Sequence, residues 1–187
     1  MRHAVFGAAR GRGRKSRGFT LVELLTVVAI TGVLATIGTI LVRQHFKYAK
    51  TAEAVSIIQA IRVAEEARRA ETGTYQSCSS NTGTPWYPAK PDASLRPWVN
   101  TTHQDWAGWR PLSISQPDGT RFGFLVHAGI PGGTMPRLAI SGTPVVPAQP
   151  EPWYVIQAAG DQDKDGIFTL IVASSFSSEL YVENDGE

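Results

Sequence analysis

Apolar residues follow three different patterns along this chain. From Phe19 to Val42 they run almost unbroken, FTLVELLTVVAITGVLATIGTILV, with a single charge at Glu23. At about 1.5 Å per residue a helix over this run is roughly 36 Å long, enough to cross a hydrocarbon core of about 30 Å. The core helix of a soluble protein fits poorly, because such helices rarely run so far without a polar face. A secretory signal peptide fits poorly too, since the run is long and no Ala-x-Ala site follows it. Beyond this run the period changes. Ala54, Ile57, Ile58, Ile61 and Ala64 fall at i, i+3, i+4, i+7 and i+10, while Glu53, Ser56, Gln59, Glu66 and Arg69 fill other faces. No proline occurs between Phe19 and Tyr75, so the spacing predicts one helix from Thr20 to Thr72, roughly 80 Å long. Gly73, with Arg68 and Arg69 in the preceding turns, marks its end.

The third pattern is a set of short strand-like runs: Arg121–Ala128, Trp153–Ala158, Ile167–Ala173 and Glu179–Val182. Turn signals separate them, among them Pro131-Gly132-Gly133, Ser141-Gly142 and Asp165-Gly166. They predict an antiparallel meander laid on the amphipathic half of the helix. Between helix and meander, residues 74–120 hold four of the five tryptophans (Trp86, Trp98, Trp106, Trp109) and prolines at 85, 88, 91, 97 and 111. Such prolines exclude a long helix or a central strand, so this segment reads as an ordered loop wrapped over the sheet. Its tryptophans either pack the loop down or form a surface for sugars and partners.

Composition narrows the class. The chain has 187 residues, 42% of them hydrophobic and 18% charged, which excludes strong disorder and a coiled-coil rod. Its 18 Gly and 12 Pro show no collagen-like period. One cysteine, Cys78, cannot form an intramolecular disulfide and reads as a free or buried thiol. The formal net charge of +2 conceals an asymmetry. Residues 1–18 carry Arg2, Arg10, Arg12, Arg14, Lys15 and Arg17 and no acid, so the remainder is net acidic. Basic residues stay cytoplasmic, which puts the N-terminus inside and residues from about 43 onward outside.

Glu23 stands out within the apolar run. An intramembrane carboxylate costs on the order of 2.5–3.5 kcal/mol at mid-membrane and less near an edge, so it implies a function and a partner. Thr20-Leu21-Val22-Glu23 also fits a helix capping box. Were the chain cut after Gly18, Phe19 would carry a new α-amine about one turn from Glu23. The amine of a neighbouring subunit could then neutralise that acid.

The stretch Lys15-Ser16-Arg17-Gly18-Phe19-Thr20-Leu21-Val22-Glu23-Leu24-Leu25 resembles the processing site of type IV prepilins and type II secretion pseudopilins: a basic leader ending in Gly, then Phe, Thr-Leu-(Ile/Val)-Glu and an apolar helix. The resemblance covers residues 1 to about 75. It implies that a prepilin peptidase and methyltransferase cuts between Gly18 and Phe19 and methylates Phe19, and that Glu23 is the assembly carboxylate. It also implies an inner-membrane precursor, an inner-membrane assembly platform, and other pilin or pseudopilin subunits as partners. Where many major pilins carry a helix-kinking proline this chain has Ile40, which points to a minor or atypical subunit.

Other chemistry is sparse. Asp161-Gln162-Asp163-Lys164-Asp165-Gly166 has the Asp-x-Asp-x-Asp-Gly start of a calcium loop, in which alternate carboxylates converge on a hard cation. The position of an EF-hand's closing Glu is Val172, so further ligands would have to come from elsewhere, such as the Ile167 carbonyl or Glu179. A polar hairpin turn is the alternative. Some pseudopilins hold calcium in a C-terminal loop, so the resemblance makes calcium the candidate cofactor. Arg43, His45, Lys47 and Lys50 form a basic patch suited to a membrane surface. It lacks the aromatic interleaving of a nucleic-acid binder. Asn100-Thr101-Thr102 is a weak glycosylation sequon. His103, Asp105 and the serines form no recognisable catalytic motif, so a structural protein rather than an enzyme is expected.

The expected fold is α+β and pilin-like. A long N-terminal helix, its first half transmembrane, packs its second half on a C-terminal antiparallel sheet. The expected organisation is a removed leader at 1–18, a transmembrane and filament-core helix at 19–42 and its amphipathic continuation at 43–72. A Pro/Trp-rich loop region at 73–120 and the sheet with its Asp-rich loop at 121–187 follow. The expected function is that of a filament subunit, either of a type IV pilus at the cell surface or, alternatively, of a periplasmic type II secretion filament. An uncut single-pass anchor presenting a binding domain is the reading of another class.

Overall fold

The computed structural model describes residues 18–80, 86–135, 137–138 and 149–185. The leader residues before Gly18, Pro85 and the Ser141-Gly142 turn lie outside these. So do the side chains of Arg43, His45 and Lys47. The chain divides into two compact units, Met1–Leu41 and Val42–Glu187. Helix α1, Leu21–Thr72, begins in the first and ends in the second.

In the first unit α1 is an exposed apolar rod. Leu21, Val22, Leu24, Leu25, Val28 and Ile30 are each at least 60% exposed. Thr20 starts the helix: its carbonyl accepts the Leu24 N–H at 3.1 Å and its Oγ1 accepts the Glu23 N–H at 3.2 Å. That is half of the expected capping box, and it satisfies a donor that the first turn leaves without a partner. Four threonines interrupt the apolar surface, and each turns its hydroxyl back onto the helix. Thr26 donates to the Glu23 carbonyl, Thr31 to Val27, Thr36 to Gly32 and Thr39 to Thr36, all at 2.8–2.9 Å. In hydrocarbon no water could serve those hydroxyls, so this self-pairing keeps them compatible with lipid.

In the second unit α1 buries one stripe against a four-stranded antiparallel sheet. Ala54, Ile57, Ile58 and Ile61 are fully buried, as their spacing predicts. Ala64 is only partly buried; the residue buried at the next turn is Glu65. The helix stops at Gly73, whose N–H reaches the Arg69 carbonyl at 2.8 Å and whose φ of +78° suits glycine. The strands are β1 (Gly123–Gly129), β2 (Trp153–Gly160), β3 (Thr169–Ser174) and β4 (Ser177–Glu183), paired in that order as a meander. Phe124, Val126, Tyr154, Ile156, Ala158, Ile171 and Ala173 join the helix stripe in one core. The opposite face is covered too: Met135 and Leu138, from the connection between β1 and β2, pack on Trp153, Val155 and Val172. Burial on both faces explains why β2 and β3 read as continuous apolar runs rather than alternating ones.

Strand ends differ from their expected places for local reasons. The N–H groups of Arg121 and Phe122 are taken by Glu53 Oε1 at 2.9 Å and Thr120 Oγ1 at 3.0 Å, so the ladder starts at Gly123. The Ile167 N–H is held by Asp165 Oδ1 at 2.7 Å, so β3 starts two residues later than its apolar run.

The Trp/Pro segment is pinned to the free side of β1. Tyr87 and Phe124 exchange two backbone hydrogen bonds, at 3.0 and 2.7 Å. The Tyr87 ring stacks on Trp109 at 4.7 Å and its hydroxyl donates to the Trp98 carbonyl at 2.6 Å. Trp98 meets Trp109 edge-on at 5.5 Å and Phe124 at 5.7 Å. The expected loop also contains one helical turn, α2 (Trp106–Trp109), continued by a 3-10 turn over Arg110–Leu112.

Candidate functional site: the start of the apolar helix and the aspartate loop

Gly18, Phe19 and Thr20 are exposed and precede α1 without helical structure. A side chain built at Gly18 would meet nothing within 4 Å, and Phe19 is 77% exposed. The peptide bond between them therefore lies in exposed, non-helical chain ahead of α1. Glu23 follows in the first turn of α1. Its side chain is exposed among Leu21, Val22, Leu24 and Leu25, which are exposed as well. It is thus an acid at one end of an otherwise uncharged cylinder. Its backbone N–H is satisfied by Thr20 and its carbonyl by the Thr26 hydroxyl, and its carboxylate makes no hydrogen bond among the described residues. The helix from Leu21 to Thr39 is long and apolar enough to cross a membrane.

The three aspartates sit together in the turn between β2 and β3. One carboxylate oxygen from each of Asp161, Asp163 and Asp165 lies within 4.8 Å of the other two. Asp161 is nearly buried and organises the turn. Its Oδ1 accepts the Lys164 N–H at 2.7 Å and its Oδ2 the Gly166 N–H at 3.3 Å. Asp163 accepts the Asp165 N–H at 3.4 Å. Lys164 (φ +68°) and Gly166 (φ +87°) supply the left-handed corners that bend the chain around the carboxylates. Three clustered carboxylates repel one another, and a divalent cation would relieve that. The donor set therefore fits a hard cation in type, although three carboxylates supply fewer oxygens than calcium's usual 6–8. Glu179, expected as a further ligand, is not in the cluster. Ile167 takes part through its N–H.

Sequence reasoning missed a buried polar group at the other end of the domain. Glu65 is completely buried; its Oε2 accepts the Gln76 N–H at 2.8 Å and its Oε1 has no hydrogen-bond partner among the described residues. Burial pushes its carboxyl up to about 7. The signal was available, because Glu65 lies four residues after Ile61 and seven after Ile58 on the buried stripe. Cys78 is buried and free. Burial, with the carboxylates of Glu65 and Asp105 nearby, pushes its thiol well above the ordinary value, which makes it a poor nucleophile. Trp98, Trp109 and Trp153 are buried, so they pack the fold rather than offering a surface.

No characterised protein and no solved structure matches the chain. A family model does, over residues 13–39: the prokaryotic N-terminal methylation motif. This span joins the basic leader, the Gly18-Phe19 junction, Glu23 and the apolar half of α1. The chain carries the prepilin motif shared by type IV pilins and pseudopilins, set ahead of an α+β domain of pilin-like organisation.

Proposed function

We propose that this chain is a structural subunit, minor or atypical, of a type IV pilus-like filament and is not a catalyst. The observation that carries the proposal is the coincidence of the methylation motif with an exposed junction and a lone helical acid. The leader holds the precursor N-in in the inner membrane. Prepilin peptidase cuts between Gly18 and Phe19 and methylates Phe19. The apolar helix then leaves lipid for a filament core. There Glu23 and the Phe19 amine of a neighbour neutralise each other, which removes the cost of a carboxylate in hydrocarbon. The amphipathic half of α1 carries the sheet domain outward.

A second reading, a pseudopilin of a type II secretion system, is favoured by the aspartate turn, whose three carboxylates lie close enough together to hold a metal ion. In that reading Asp161, Asp163 and Asp165 hold the ion and stiffen the β2–β3 turn. Burial of Trp98 and Trp109 takes away part of the aromatic surface that would favour an adhesive pilus.

Intact-mass and N-terminal peptide spectrometry on sheared surface material and on membranes tests both. A species beginning at methylated Phe19 is expected. Its recovery in sheared filaments supports the pilus, and its confinement to membranes supports the secretion filament. A chain still bearing residues 1–18 overturns both in favour of a plain membrane anchor.

A further inference from the structure

Glu65 occupies the junction where α1 ends and the Trp/Pro segment begins. Its carboxyl is fully enclosed, yet among the described residues only one of its oxygens is used, by the Gln76 N–H at 2.8 Å. That bond ties the segment after Gly73 back onto the helix it has just left. The same segment delivers Cys78 into the core, where it is 3% exposed, and its Cys78 and Ser79 N–H groups both reach the Val126 carbonyl at 3.0 Å. The titratable and charged groups around Glu65 are Glu66 and Arg68 on α1, Cys78 on the following segment and Tyr154 on β2. Arg68 acts directly on Glu65, and Arg62, one turn back on α1, acts on Tyr154 beside it; neither is hydrogen-bonded to the Glu65 carboxyl among the described residues. An enclosed carboxyl without a bonded cation is tolerated when neutral and is costly when charged.

We propose that Glu65 is a proton-operated latch, which keeps residues 74–79 closed over the domain, Gln76 on α1 and Cys78 and Ser79 on β1, while it carries a proton and lets them lift when it gives that proton to solvent. The chemistry is one proton exchanged with water. Lifting brings the carboxylate and Cys78 out together, since they share one enclosure. Burial, which holds the carboxyl near neutrality, puts the transition within the range an exported domain meets. The device does not depend on which filament the chain joins.

Amide exchange on the whole chain in detergent micelles tests it without a variant. After correction for intrinsic exchange chemistry, protection at Gln76 is expected to fall by about tenfold or more between pH 5.5 and pH 8. It should stay below the protection of β2 amides such as that of Ile156 throughout. Flat protection at Gln76 overturns the latch. So does protection equal to that of β2, which would mean that the segment opens only with the whole domain. Alkylation of Cys78 gives a second readout. The rate for the native chain, divided by that for Glu65→Gln at the same pH, should rise about tenfold or more over the same interval. A constant ratio overturns the proposal.

Discussion

Glu53 holds Arg121 by two different groups: Oε1 accepts its backbone N–H at 2.9 Å and Oε2 its guanidinium at 3.1 Å. One helical side chain thereby ties the approach to β1, two residues before the strand starts at Gly123, to α1. Further along the helix Arg62 does the same for the β3–β4 hairpin, reaching the Ser177 carbonyl at 3.1 Å. Arg69 bonds Tyr75 at 2.9 Å and Glu151 at 3.1 Å. The apolar stripe supplies the attraction and these flanking bonds supply the register. Glu53→Ala leaves a backbone donor without its acceptor and is expected to lower stability by about 1–3 kcal/mol. Thermal melting of the whole chain in detergent measures this; an unchanged midpoint would remove the bond from the account.

Ile57 and Ile58 are fully buried at the centre of the helix–sheet contact. Replacing either by alanine should cost about 2–5 kcal/mol, through lost transfer energy and the cavity left behind. Val63 lies on the same helix but is 71% exposed, so Val63→Ala should change stability by less than about 0.5 kcal/mol. Urea titration of the three variants would show the contrast. Equal losses would mean that α1 packs by another face.

Glu65 makes domain stability depend on pH, with a definite sign. Its native carboxyl titrates near 7, above the value of about 4.3 in an unfolded chain. Between those two values the native state holds a proton that the unfolded state has lost. Stability is therefore full below the lower value and declines as pH rises through the upper one, by on the order of 3 kcal/mol. Glu65→Gln should flatten the profile, and an unaltered slope in that variant would assign the dependence to another group.

Much of this architecture was legible because its causes are local. The stripe Ala54-Ile57-Ile58-Ile61, the Gly73 stop and the prepilin residues each declare themselves within a few positions. The α1 start was legible in the same way, since Thr20 is three residues from the N–H it caps. Tyr87 was not. Its place at the centre of the aromatic cluster depends on Phe124, thirty-seven residues away, and no local pattern encodes that pairing. The cover that Met135 and Leu138 give the outer sheet face is equally non-local. In the aspartate turn the three alternate acids were readable from spacing, whereas the exclusion of Glu179 depends on where the β3–β4 hairpin sends it.

Calcium should raise the melting midpoint of the native chain, because a ligand that binds only the folded turn stabilises it by mass action. Asp163→Asn combined with Asp165→Asn should remove that increase and leave the calcium-free midpoint nearly unchanged, since both side chains are exposed. A midpoint indifferent to calcium in the native chain would reduce the cluster to a polar turn.

Glu23→Val should still be cut after Gly18 but should enter filaments poorly, by tenfold or more on the order of a lost charge pair in hydrocarbon. Normal recovery of Glu23→Val in sheared or membrane-bound filaments would sink the role given to this acid. Gly18→Asp should block cutting, and a mature-length product from it would contradict the assigned junction.

The threonines of the apolar rod have a further consequence. Each of Thr26, Thr31, Thr36 and Thr39 carries its own acceptor one turn back. To any surrounding medium the rod between Leu24 and Thr39 therefore presents methyls and methylenes, with no hydroxyl seeking a new partner. Under the proposed assembly its move from lipid to neighbouring helices is an exchange of one oil for another. That step would be nearly reversible, with no polar bond to break on leaving and none to make on arrival. Direction must then come from the terminal charges and from whatever machine lifts the subunit.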